Sequence, residues 1–239
     1  MKKVNSILFC LIILLSSYGC VAQDTNSNGA YTFEKGDPNG IGKWYMGREI
    51  AHVMGFQGMS WLERPEREKE ENTTKLLLNM KISANDYIAD IGAGSGYHVF
   101  KMAPIAGKGL IYAVDIQEEM LAELRRNKEN GPSKNVEVTK GSRKSVNLPE
   151  NSMDKVLMVD VYHEFDYPRE MIASIKKALK EDGKIFLIEY RGEDAKVPIK
   201  RLHKMTEAQA IKEMQAAGMK LDRNISNLPW QHCMVFVKQ

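Results

Sequence analysis

From residue 86 to the end of the chain, apolar runs alternate with amphipathic segments, and this restricts the fold more than any other feature. Tyr87-Ile88-Ala89, Leu110-Ile111-Tyr112-Ala113-Val114, Val156-Leu157-Met158-Val159 and Ile185-Phe186-Leu187-Ile188 read as strands, with Val136 and Val138 marking a shorter one. An unbroken apolar run fits a strand buried on both faces, as in parallel sheets. Between the runs lie helical segments: Tyr97 to Ile105, residues 117–129 with Met120, Leu121 and Leu124, and residues 168–180 with Met171, Ile172, Ile175, Ala178 and Leu179. Thr206-Glu207-Ala208-Gln209 reads as a capping box for a helix ending at Gly218. Strands near 219–225 and 232–237 are close enough in sequence to pair antiparallel. The pattern predicts an α/β fold, a doubly wound, mostly parallel sheet with a C-terminal antiparallel strand pair. Upstream, residues 43–56 (Trp44, Ile50, Val53, Met54) and 65–80 (Leu76, Leu77, Met80) read as helices, an N-terminal helical extension. The charged run Glu66 to Glu71 reads as a solvated face.

In such sheets ligands bind beyond the carboxyl ends of the strands, so the residues after each strand matter most. After the first strand the chain reads Asp90-Ile91-Gly92-Ala93-Gly94-Ser95-Gly96-Tyr97. Three alternate glycines permit a tight turn and close approach of a ligand to the backbone. The helix that follows presents free N–H groups suited to an anion. A dinucleotide fingerprint requires Gly-x-Gly-x-x-Gly; here the third glycine comes one position early. The second strand ends in Asp115, whose carboxylate can accept both hydroxyls of a ribose, and Asp90 can accept from an amine at the loop.

The segment Asp90 to Gly96 followed by Ala113-Val114-Asp115 resembles class I S-adenosylmethionine-dependent methyltransferases, over about residues 76–239. The resemblance implies a Rossmann-like fold with S-adenosylmethionine as cofactor. It also implies that Asp90, Gly92, Gly94 and Gly96 hold the methionine part, that Asp115 holds the ribose, and that Ile116 packs on the adenine. Relatives often carry an acidic residue after the third strand; here Ser142 stands in its place, a weaker adenine contact. Asp160, at the end of the fourth strand, is expected near the cofactor amine or in a structural role.

Methyl transfer chiefly requires alignment of an acceptor with the cofactor. His163 is the candidate general base, since imidazole titrates near neutrality; the competing reading is that it shapes the pocket. Glu164 would orient His163 or hold a cationic substrate. Tyr190 ends the fifth strand and is a candidate for the acceptor pocket, and Tyr45, Arg48 and His52 are candidates for a lid that binds substrate. No metal site is expected: His98, His203 and His232 make no ligand spacing, and His163-Glu164 alone cannot make one. Two other functions stand beside this one. A nicotinamide-dependent oxidoreductase is disfavoured by the loop spacing. A non-catalytic nucleoside-binding protein would keep the fold without turnover.

The first residues read as an export signal, with Lys2 and Lys3 before the apolar run Ile7–Leu15. At about 1.5 Å per residue this run spans about 14 Å, half of a bilayer core. Ser17-Tyr18-Gly19-Cys20 resembles a lipoprotein cleavage site, in which Cys20 would become the lipidated first residue and a membrane anchor; cleavage after Ala22 is the alternative. The protein is therefore expected outside the cytosol, periplasmic or membrane-anchored. Residues 1–22 are expected to be the leader, 23–75 a tether with the helical extension, and 76–239 the methyltransferase domain. Of the three cysteines, Cys233 lies in an apolar run and reads as a buried thiol. The formal charge of +3 falls nearly to zero without the two leader lysines, so electrostatics give no reason to expect a nucleic-acid partner. A small-molecule substrate is expected; the oligomeric state is left open.

Overall fold

The computed structural model describes residues 29–239. The leader, Cys20 and the possible cleavage sites lie outside the described residues.

The alternating half folds as read. Strands β4 (Tyr87–Ile91), β5 (Leu110–Asp115), β6 (Val136–Lys140), β7 (Met153–Val159) and β8 (Leu179–Tyr190) are parallel, and β9 (Met219–Asn224) and β10 (Gln231–Lys238) complete the sheet. The order is β6-β5-β4-β7-β8-β10-β9, with β10 antiparallel to both β8 and β9. Successive residues of each strand enter opposite cores. Ile88, Ile111, Ala113 and Leu157 pack on one face, against α3 (Thr73–Met80), α4 (Val99–Met102) and α5 (Glu118–Asn130). Ala89, Val114, Val156 and Met158 pack on the other, against α6 (Pro168–Ala178) and α7 (Glu207–Ala216). Full burial of each Ile, Leu, Val or Met among them contributes roughly 1.5–3 kcal/mol. Thr206 caps α7, its side chain accepting from the Gln209 amide, and Gly218 follows with φ +75°.

The N-terminal region differs from expectation. Residues 43–56 are not a helix. Instead β1 (Tyr31–Phe33), β2 (Gly40–Tyr45) and β3 (Arg48–Ala51) form an antiparallel three-stranded sheet. The physical reason is the Met46-Gly47 pair, with φ +51° and +92°, which turns the chain back as a two-residue hairpin. A helix passes through neither conformation. The small sheet packs beside α6 and α7: Lys43 Nζ donates to the Asp166 carbonyl (2.6 Å) and lies over the Tyr167 ring, and Lys212 Nζ donates to the Met46 carbonyl (2.6 Å). Two short helices, α1 (Met59–Leu62) and α2 (Arg67–Glu70), then lead to α3. The helix expected over 65–80 is interrupted at Asn72 (φ +58°), whose side chain caps α3. The charged run is a solvated face only in part: Glu66, Glu68 and Lys69 are exposed, while Arg67 and Glu71 are buried.

Candidate active site

The strand order reverses between β4 and β7, and a cavity of about 420 Å³ opens at their carboxyl ends. Gly92, Gly94 and Gly96 all have left-handed backbone, with φ +73°, +56° and +90°. This folds the loop after β4 under the start of α4. At Gly92 a Cβ would stand 2.4 Å from Val161 Cγ2, across the switch point, and at Gly94 it would stand 2.6 Å from Leu62 Cδ1. Gly92 and Gly94 border the cavity; Gly96 packs behind the loop against Phe100 and Leu124.

Two aspartates stand beside the loop in different surroundings. Asp115 is pinned by three backbone donors: Gly94 N to Oδ2 (3.0 Å), and Ile116 N (2.7 Å) and Gln117 N (2.9 Å) to Oδ1. Its carboxylate thus fastens the glycine loop to the turn that leads into α5, while Oδ2 keeps lone-pair capacity for a ligand. Asp90 is buried and its Oδ2 has no partner. Desolvation, opposed by Arg67 and reinforced by the charge of Asp115, raises its carboxyl to about 7. Ile116 borders the cavity and is partly exposed, as a surface for a flat ring would be. Ser142 also borders it, but its hydroxyl is engaged within its own turn, accepting from Lys144 N (3.3 Å). Asp160 lies at the end of β7 in left-handed backbone (φ +50°). One oxygen accepts from Gln231 (2.6 Å) and the other is buried without a partner. Burial, with the charges of Glu71 and Glu189 nearby, holds its carboxyl well above the usual range.

Beyond β7 the chain turns through His163 and Glu164, both buried. His163 Nδ1 lies 2.6 Å from Glu189 Oε2, and its Nε2 lies 3.1 Å from His203 Nδ1 and 3.7 Å from Glu164 Oε1. Burial lowers the His163 pKa, but the charges and hydrogen bonds of Glu189 and Glu164 outweigh it and carry it to about 10. The His163 ring is fixed between Glu189 and Glu164, two carboxylates that favour its protonated form. Glu164 Oε1 also lies 3.4 Å from His203 Nδ1; burial opposes its ionisation, but contacts to His163 and His203 keep its carboxyl below the ordinary value. It also accepts from Met54 N (3.1 Å), which ties the N-terminal segment over the cavity. Gln117 makes a second tie, accepting from Phe56 N and donating to the Met54 carbonyl.

Tyr190 borders the cavity, its hydroxyl donating to Glu71 Oε1 (2.7 Å). Glu71 is in turn held by Arg64 (2.5 Å) and Arg67 (2.7 Å), so α2 is locked onto the end of β8. The three lid candidates lie elsewhere. Tyr45 is buried in the small sheet against Tyr31. Arg48 forms a two-pronged pair with Glu213 (2.7 and 2.9 Å) and donates to the His163 carbonyl (3.0 Å), supporting the site from behind. His52 is exposed, and the cavity wall near it is built by Val53 and Met54 instead. None of the three borders the cavity. Glu71, Glu189 and His203 were not foreseen, since their roles arise only through tertiary contacts. The expectation of no metal site rested on His163 and Glu164 having no third ligand, and His203 now stands beside both.

Comparison with known proteins adds a family. A family model described as a methyltransferase domain matches residues 89–187. The chain is 30% identical over 149 residues to the uncharacterised methyltransferase YdaC of Bacillus subtilis (strain 168), covering 62% of this chain and 79% of that one. It is 21% identical over 164 residues to the uncharacterised methyltransferase YcgJ of the same organism, covering 67% of this chain and 64% of YcgJ, slightly under two thirds of that relative. A crystal structure of a SAM-dependent methyltransferase from Aquifex aeolicus superposes with a TM-score of 0.73 at 22% identity, over 77% of this chain and 98% of that one, and shows the same fold. With the doubly wound sheet, the glycine loop and the second-strand aspartate all in place, the chain belongs to the methyltransferase domain family.

Proposed function

We propose that the protein transfers a methyl group from S-adenosylmethionine to a small-molecule or lipid-borne acceptor. The observation that carries this is the glycine loop: left-handed Gly92 and Gly94 bring bare backbone to the cavity, and Asp115 fastens the loop there through Gly94. The chain's own features fit the cofactor. The unpartnered oxygen of Asp90 suits its ammonium group, and side chains at Gly92 or Gly94 would collide with Val161 or Leu62. Asp115 would receive the ribose hydroxyls through Oδ2. Ile116 would cover one face of the adenine, with Ser142 at its edge. The bound cofactor supplies an electrophilic methyl carbon on a charged sulfur.

The residues on the far side of the cavity have the acceptor to hold. His163, Glu164, His203 and Tyr190 supply polar atoms there, and Val53, Met54 and Trp61 supply apolar wall. The ties from Glu164 and Gln117 to the 54–56 backbone hold this wall in place and restrict water. The amphipathic lining suits an acceptor with one polar end. We further propose export by the leader, with Cys20 as a lipid anchor; Cys20→Ser would then release the protein from the membrane fraction.

Calorimetric titration of the purified protein with S-adenosylmethionine and with NAD tests the reading. One equivalent of the former should bind and the latter should not. Preference for NAD would favour the oxidoreductase reading. Binding of S-adenosylmethionine without turnover across an acceptor panel would favour a non-catalytic binding protein.

A further inference from the structure

Three side-chain atoms converge at the cavity wall: His163 Nε2, His203 Nδ1 and Glu164 Oε1, separated by 3.1, 3.4 and 3.7 Å; an ion bound there takes the place of the proton on His163 Nε2. A tetrahedral ion with ligands at about 2.0–2.1 Å has ligand–ligand edges of about 3.3–3.4 Å, whereas octahedral cis edges are about 2.8–3.0 Å. The three separations lie on either side of the tetrahedral value, 3.1 Å below it and 3.7 Å above it with 3.4 Å at it, and all three exceed the octahedral one. We propose that His163, His203 and Glu164 bind a divalent transition metal ion, zinc by this geometry, with the fourth position open to the cavity.

Two further features support a metal. His163 Nδ1 meets Glu189 Oε2 at 2.6 Å, and Glu189 is fully buried. This is the outer carboxylate that metal-bound histidines commonly have, fixing the tautomer that leaves Nε2 for the ion. Glu189 is itself held by the amide of Tyr162 (2.9 Å). Two carboxylates, Glu164 and Glu189, are also buried around one imidazole. Buried charges require compensation, and a dication at the convergence point provides it. All three ligands face the cavity, so the fourth position is reached from the acceptor side. It would take the polar end of an acceptor, a hydroxyl, thiol or carboxylate, and the ion's charge would lower the pKa of a bound O–H or S–H group. Binding of the metal stands independently of the methyltransferase reading; the role toward the acceptor rests on it.

The test uses the full chain, stripped with chelator and titrated with Zn2+ against a chromophoric competitor, and separately with Co2+. One equivalent should bind, and Co2+ should give the intense visible absorption of a tetrahedral site. His203→Ala should weaken Zn2+ binding by at least about 100-fold, and Glu189→Gln by about 10-fold. Each variant is also titrated with S-adenosylmethionine. Retained cofactor affinity alongside lost metal affinity supports the proposal and shows that the variant is folded. Absence of stoichiometric metal binding by the unmodified protein, or a His203→Ala affinity equal to it, overturns the proposal. Failure of cofactor binding with intact metal binding would instead count against the function proposed above.

Discussion

Asp115→Asn isolates the contact that joins the glycine loop to α5. The carboxylate accepts from Ile116 and Gln117 through Oδ1 and from Gly94 through Oδ2. An asparagine oriented to keep the first two bonds turns its amide NH2 toward the Gly94 N–H, at the 3.0 Å now spanned by a hydrogen bond. The opposite orientation sets a donor against two donors. One buried N–H is therefore orphaned, which costs about 1–3 kcal/mol. Loss of the negative charge at the start of α5 adds about 0.3–1 kcal/mol. The expected destabilisation is about 1–4 kcal/mol, read as a lower urea midpoint at unchanged slope. Cofactor affinity should fall too, because the loop loses its tether and the ribose loses an acceptor. A destabilisation under about 0.5 kcal/mol would refute the reasoning about the three donors.

Gly92→Ala should cost about 2–5 kcal/mol, from left-handed backbone at φ +73° and a Cβ 2.4 Å from Val161, and a urea melt within 1 kcal/mol of the parent would contradict this. The pKa of Asp90 is about 7 in the folded protein against 3.8 for the free side chain, so the native state binds the proton more tightly. Its contribution is therefore full below about pH 4 and is lost as pH rises through 7, on the order of 4 kcal/mol in all. Asp90→Asn should accordingly be more stabilising at pH 8 than at pH 5, and an equal effect at both would disprove the assignment. Arg48→Met leaves Glu213, fully buried, without its two-pronged partner and should cost about 3–5 kcal/mol; Arg48→Met with Glu213→Leu should recover most of it in thermal denaturation.

The parallel sheet was legible because burial on both faces writes itself as unbroken apolar runs, and β5 and β7 lie where those runs lie. The cofactor half of the site was legible for a related reason: Gly92, Gly94 and Asp115 are local to strand ends, so the topology positions them. The small N-terminal sheet was misread because Ile50, Val53 and Met54 satisfy a helical spacing. The contrary signal was the Met46-Gly47 turn, preceded by Lys43 and Tyr45, which are buried on alternate positions of β2. The acceptor side was the least legible. His203 reaches His163 across 40 positions of sequence, and Glu189 is one acidic residue in an apolar strand until the fold sets it against the imidazole. Arg48 shows the reverse error, an apparent ligand-binding cation that the fold uses for Glu213.

The most direct measurement is a crystal structure determined with S-adenosylhomocysteine. The account predicts the nucleoside in the cavity between β4 and β7, ribose hydroxyls on Asp115, the amino group at Asp90 and the sulfur facing the His163–Glu164–His203 side. Density for the nucleoside elsewhere, or a cavity closed by the protein's own side chains with no nucleoside in it, would contradict it.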